Sequence, residues 1–183
     1  SLASLLDFAG FKVTREFYLN DRGVQMARFG ESLAARRTGE PVPDGGYNGQ
    51  YIIDWSTQLP DDADPVEWGY TRALADQREV LARVAIHFDI WSSERALVAS
   101  GAVERTLQAL RDRDMVYDLD GAVWLRSTLF GDDKDRVLIK GDGQFTYLLP
   151  DVAYHQDKYT RDFELLLDVW GADHHGYIPR MRA

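Results

Sequence analysis

The chain has 183 residues, 45% hydrophobic and 28% charged, the balance of a soluble globular protein and too apolar for a disordered one. It has no cysteine, which excludes disulfide frameworks, thiolate metal sites and cysteine nucleophiles, and no run approaches the ~18–20 apolar residues of a membrane helix. With 21 Lys and Arg against 30 Asp and Glu, the net charge of −9 argues against a domain whose main task is gripping nucleic-acid backbone, while leaving room for a local basic groove.

Residues 1–10 place Leu2, Leu5, Leu6 and Ala9 at helical spacing, with Gly10 as a C-terminal cap. A helix opening almost at residue 1, and another closing the chain over 174–183, suggest an excerpt of a larger protein. No basic n-region of a signal peptide precedes the first helix, so a cytoplasmic location is expected. Residues 12–19 alternate branched or aromatic with charged side chains, which predicts a strand. Asp21 is placed to cap a helix running to Thr38, with Met26, Phe29 and Leu33 on one face. Residues 39–49, rich in Gly, Pro, Asn and Asp, form a loop, and 51–59 is an apolar segment of open type. After the break at 60–65 comes a long helix with Val66, Tyr70, Leu74, Leu81 and Val84 on one stripe.

A short strand over 87–91 follows, then helices over 94–99 and 102–113. Asp120-Gly121 predicts a hairpin between 115–119 and 122–125, and Gly141-Asp142-Gly143 a second over 136–148. Pro150-Asp151 starts a helix. The compact apolar run Leu165–Trp170 is expected as a buried parallel strand. The pattern is α/β with an irregular α+β stretch in the middle.

Three places could carry chemistry. Gly171, Asp173, His174 and His175 follow the predicted buried strand, where open α/β sheets bind ligands. They suit contacts to a nucleotide or substrate, a structural turn, or a metal site for a phosphoesterase, for which Asp132-Asp133 is the nearby carboxylate candidate. Tyr147 and Asp151 flank a helix start, where the helix dipole favours an ionised carboxylate. A carboxylate beside a phenol suits a guanidinium, although helix capping and core packing account for the same residues. Glu94, just past a strand, reads as a ligand group or a helix cap. Arg36-Arg37 and Arg180 with Arg182 read as solvated surface.

Taken in order, VTREFYLNDRGVQM (13–26), YNGQYI (47–52), HFDIWSSE (87–94), the stretch 121–158 containing GDDKDRVLIKGDGQFTYLLPD, and VWGADHHGYIPRM (169–181) resemble the catalytic domain of the arginyl-tRNA synthetases. The resemblance covers nearly the whole chain. It implies a Rossmann-type class I synthetase catalytic domain fragment with an inserted α+β stretch. Residues 1–38 would be part of the first Rossmann half, 39–125 the connective insertion, and 126–183 a truncated second half.

The implied reaction joins L-arginine to ATP, releases pyrophosphate and passes the arginyl group to tRNA(Arg). Activation in this family generally needs bound tRNA. By position, Glu94, Tyr147 and Asp151 match the residues that receive the arginine side chain, and His175 a further contact to the amino acid. Gly171, Asp173 and His174 fall beside the ribose and adenine of ATP. Asn20, Asp21, Gly23 and Gln25 match a signature for which no catalytic role is implied. Two carboxylates and a phenol suit the five donors of a guanidinium; lysine, a point charge, would leave part of such a pocket unsatisfied.

The implied partners are arginine, ATP with Mg2+, and tRNA(Arg), with the whole enzyme a monomer and no tightly bound cofactor. The family's two phosphate-binding motifs would lie outside residues 1–183, so catalytic residues are not assigned and the isolated chain is expected not to activate arginine. A non-catalytic arginine- or partner-binding module is the alternative.

Overall fold

The computed structural model describes residues 1–182, the side chain of His175 excepted. The chain divides into two compact units, Ser1–Arg95 and Ala96–Ala183.

The first unit holds α1 (Leu2–Phe8), β1 (Glu16–Leu19), α2 (Val24–Thr38), α3 (Gln50–Ser56), α4 (Pro65–Arg83) and β2 (Ile90–Ser93). β1 and β2 pair in parallel, Glu16 opposite Ile90 and Leu19 opposite Ser93. Parallel pairing requires a long crossover, here α2, α3 and α4. The apolar segment of open type is α3, whose Ile52 and Trp55 join Phe29, Leu33 and Leu59 in one core. The expected face of α2 is thus the one that packs. α4 starts as its sequence predicts: the Asp64 carboxylate accepts the N–H groups of Val66 (2.8 Å) and Glu67 (2.9 Å), with Pro65 in the first turn.

Other expectations change. Asp21 does not cap α2. Gly23, at φ 80°, holds the capping position, and Asp21 is buried with partners elsewhere in the unit. The predicted strand over 12–19 pairs only from Glu16. On α4 the core takes Trp68, Gly69 and Ala73, while Val84 is exposed. α1 forms, but none of its residues is buried and Leu2 and Leu5 lie open.

α2 and α4 meet through glycines. A Cβ at Gly69 would stand 2.6 Å from Leu33 Cδ1, and one at Gly30 would stand 2.9 Å from the Val66 backbone nitrogen. Gly30→Ala therefore sets a helix-propensity gain of about 1 kcal/mol against forcing two backbones apart, about 1–3 kcal/mol. Because the Val66 backbone as well as its Cγ2 methyl stands in the way at Gly30, crowding wins. The expected result is a lower urea midpoint with an unchanged slope; a raised midpoint would show that the helices separate freely.

The chain passes into the second unit within α5 (Glu94–Ala99). There follow α6 (Ala102–Asp112), β3 (Val116–Leu119), β4 (Ala122–Leu125), β5 (Arg136–Ile139), α7 (Leu148–Tyr159) and α8 (Ile178–Arg182), with 3-10 turns at Ser127–Phe130 and Ala172–Tyr177. The three strands form an antiparallel sheet in chain order. Asp120 (φ 51°) and Gly121 (φ 74°) make the tight turn that the Asp-Gly pair predicts. The second hairpin is reduced to one bridge, Ile139 to Phe145. Val103, Val116, Val123, Leu125, Leu138, Leu148, Leu149 and Ala153 form this unit's core. α7 begins at Leu148, so Pro150 is its third residue, still among the positions whose N–H has no helical partner.

Leu165–Trp170 is not a strand. Among the described residues it pairs with no other strand, and Leu165, Leu167 and Val169 are exposed. A parallel strand needs a neighbour for its backbone groups. Here the segment is tied to α7 instead, through an ion pair between Lys158 and Asp168. The architecture is mixed α/β, and among the described residues no helix is long and apolar enough to cross a membrane.

Candidate functional site

Tyr147 and Asp151 are brought together by the first turn of α7, where the Asp151 N–H donates to the Tyr147 carbonyl (3.3 Å). The Asp151 carboxylate accepts the Tyr177 hydroxyl at 2.7 Å. Burial pushes the Asp151 carboxyl above its ordinary value; the bond from Tyr177 and the nearby His174 and Lys158 only partly oppose this. Desolvation thus outweighs the helix-dipole effect expected from sequence. The Tyr177 phenol is itself pushed well up, first by burial and then by the charge of Asp151.

Tyr147 is exposed, its ring tilted against that of Tyr177 at 5.6 Å, and its hydroxyl accepts from Arg180 Nη1 at 2.8 Å. The Arg180 guanidinium also lies 5.8 Å from the centre of the Tyr177 ring. Arg180 is therefore not the solvated surface residue its sequence context suggests. Tyr177 and Arg180 were missed because their partners lie 26 and 33 residues away. The only cue was general: a phenol or guanidinium taken out of water finds an acceptor.

Glu94 lies in the first unit, directly after β2 and opening α5. Its side chain is 17% exposed, and Arg22 Nη1 stands 3.7 Å from its carboxylate. Position at the carboxyl end of a parallel strand is where α/β sheets present ligand groups. Asp21, at the end of the neighbouring strand, is buried and accepts from the Ser93 hydroxyl at 2.6 Å and the Arg95 N–H at 2.8 Å.

Gly171, Asp173 and His174 form a tight turn. The His174 N–H donates to the Gly171 carbonyl (3.0 Å), and His174 Nδ1 lies 3.2 Å from Asp173 Oδ1. A Cβ on Gly171 would run into that carboxylate, so glycine fits the turn. Asp173 and His174 are both exposed. The His175 side chain lies outside the described residues. Among the described residues no group of three His, Asp or Glu is gathered as a metal site. Asp132 and Asp133 are instead occupied by Arg136, whose guanidinium binds Asp132 at 2.6 and 2.7 Å and holds that carboxyl well below the usual range.

These features define a mixed α/β protein with acidic and phenolic acceptors at strand and helix ends. No family model matches the chain. Over its whole length, however, it is related in sequence to the arginyl-tRNA synthetases and corresponds to a segment of them. It is 46% identical to the arginine–tRNA ligase of Shouchella clausii and 45% identical to that of Bacillus subtilis, each match covering 100% of this chain. The chain spans 36% of the length of these curated relatives. A crystal structure assigned to an arginyl-tRNA synthetase of Campylobacter jejuni superposes with a TM-score of 0.88 at 34% identity, covering 98% of this chain and 43% of that one.

Proposed function

We propose that the chain is the part of an arginine–tRNA ligase that receives the arginine side chain and the adenosine of ATP. The observation that carries this reading is the whole-length relation to arginine–tRNA ligases. Asp151 and Tyr147 support it, as a carboxylate and a phenol on one helix turn. An ionised Asp151 can accept two N–H groups of a guanidinium, with Tyr147 taking a third. Glu94, in the first unit, is assigned to arginine only by its position in the order of segments that the resemblance rests on. The Gly171–His174 turn is assigned to the ribose and adenine, and His175 to the amino acid. As the resemblance implies, Mg2+ is expected to arrive with ATP.

In the intact protein, arginine is activated by ATP with release of pyrophosphate and passed to tRNA(Arg), a role that suits a cytoplasmic protein. The test is ATP–pyrophosphate exchange by the intact protein. Exchange is expected with arginine, to depend on tRNA(Arg), and to be absent with lysine. Exchange that is indifferent to the amino acid, or no exchange with tRNA(Arg) present, would overturn the reading.

A further inference from the structure

We propose that Asp21 is the positioning residue for Glu94. Its buried carboxylate grips the residue on either side of Glu94 and so fixes where that acceptor stands. The inference rests on the assignment of Glu94 to arginine.

The register of the parallel pair brings the groups together. Leu19 is opposite Ser93, so the chain leaving β1 reaches Asp21 beside the point where β2 becomes α5. Asp21 is 4% exposed. Its two oxygens serve different partners: Oδ2 accepts from Ser93 Oγ (2.6 Å) and Oδ1 from the Arg95 N–H (2.8 Å). Glu94 lies between them, so its backbone is held on both flanks by one rigid, planar group. Only a carboxylate offers two equivalent acceptors in that geometry. The bond to the Arg95 N–H also satisfies one of the backbone donors left open where α5 begins, the service an N-cap side chain normally supplies from within the same segment.

The surroundings reinforce the hold. The Arg95 side chain is ion-paired with Glu67 and lies 4.9 Å from the Tyr70 ring. The Tyr70 phenol is pushed up by burial and then by the charge of Asp21. The residue after Asp21 is Arg22, whose guanidinium faces Glu94 at 3.7 Å. Fixing Asp21 therefore fixes both Glu94 and the cation opposite it. A guanidinium reads acceptor placement closely, and misplacement of about 1 Å at a reacting centre can cost a hundredfold in rate.

Four variants of the intact protein test this in tRNA-dependent exchange. Glu94→Gln is expected to raise the arginine KM about a hundredfold. Asp21→Ala is expected to raise it at least about tenfold with the ATP KM within about twofold, a split that general loss of structure does not give. Asp21→Asn keeps one acceptor and is expected to fall between Asp21→Ala and the native protein. Ser93→Ala removes one grip without touching the charge and is expected to raise the arginine KM about threefold.

If Asp21→Ala does not fold, the Asp21→Asn and Ser93→Ala shifts decide. Equal shifts in the arginine and ATP KM, or an unchanged arginine KM in the folded variants, overturn the positioning role. If Glu94→Gln leaves the arginine KM unchanged, the assignment of Glu94 fails and the inference falls with it. A large Glu94→Gln effect without Asp21 or Ser93 effects overturns the inference alone.

Discussion

Replacing Asp151 by asparagine in the intact protein is expected to weaken arginine binding on the order of a hundredfold. Truncating one partner of a buried charge pair costs about 2–5 kcal/mol, and each 1.4 kcal/mol is about tenfold. Asparagine keeps the shape and one acceptor, so the Tyr177 hydroxyl, now 2.7 Å from the carboxylate, retains a partner. The loss therefore reports the missing charge and second acceptor, not a collapse of the turn. Titration calorimetry with arginine and lysine measures it; equal heats for the two amino acids in the native protein would sink the assignment.

The same residue sets a pH dependence. Burial raises the Asp151 carboxyl above its ordinary value. A guanidinium binds the ionised form, so near and below that raised value binding releases a proton, and arginine affinity falls as pH drops through it. The stability contribution runs the other way. Because the folded protein holds this proton more tightly than the unfolded chain, the contribution is fully present below the ordinary carboxylate range and is lost as pH rises through the raised value. Calorimetry in buffers of different ionisation heat detects the proton release. Asp151→Asn is expected to abolish this component, and its survival in that variant would locate the titrating group elsewhere.

Leu33→Ala carries the largest expected stability change. Leu33 is completely buried between α2 and α4, and removing a core leucine costs about 2–5 kcal/mol. Leu5, 67% exposed on α1, provides the contrast: its alanine variant is expected to stay within about 0.5 kcal/mol. The pairing of Leu33 with Gly69 sharpens the prediction. A Cβ at Gly69 would stand 2.6 Å from Leu33 Cδ1 and 2.8 Å from Phe29 Cε1. Gly69→Ala alone is therefore a clash, whereas in the Leu33→Ala background it refills part of the cavity. Denaturant midpoints of the two single variants and the double should show the double less destabilised than the sum. Strict additivity would mean that the two side chains do not share that space.

Local signals in the sequence reached as far as local causes did. The break over 60–65 announced the start of α4, Asp120-Gly121 the hairpin turn, and Phe29 with Leu33 the packed face of α2. Each rests on backbone chemistry or spacing within a few residues. Leu165–Trp170 failed because an apolar run reports a preference for burial but not whether a neighbouring strand exists to pair with it. Asp21 failed for a related reason: its composition suits a local cap, but Ser93 and Arg95, more than 70 residues away, outbid the nearby helix. The candidate acceptors Glu94, Tyr147 and Asp151 were weak individually and gained their assignment only from the order of segments along the chain. Tyr177 and Arg180 carried no local signal at all.

Those last two residues bear on selectivity. In this structure Arg180 donates to Tyr147 and Tyr177 donates to Asp151, while Arg22 stands 3.7 Å from Glu94 as an ion-pair partner. On the proposed assignment, arginine would compete with the protein for these acceptors. Such an exchange releases little net heat per bond, because one hydrogen bond replaces another. It also sets a threshold. A guanidinium with five donors can displace several residents at once, while a lone ammonium recovers only part of what it dislodges. Discrimination would then depend on the strength of these internal contacts, and weakening a resident donor would relax specificity even as it eased binding.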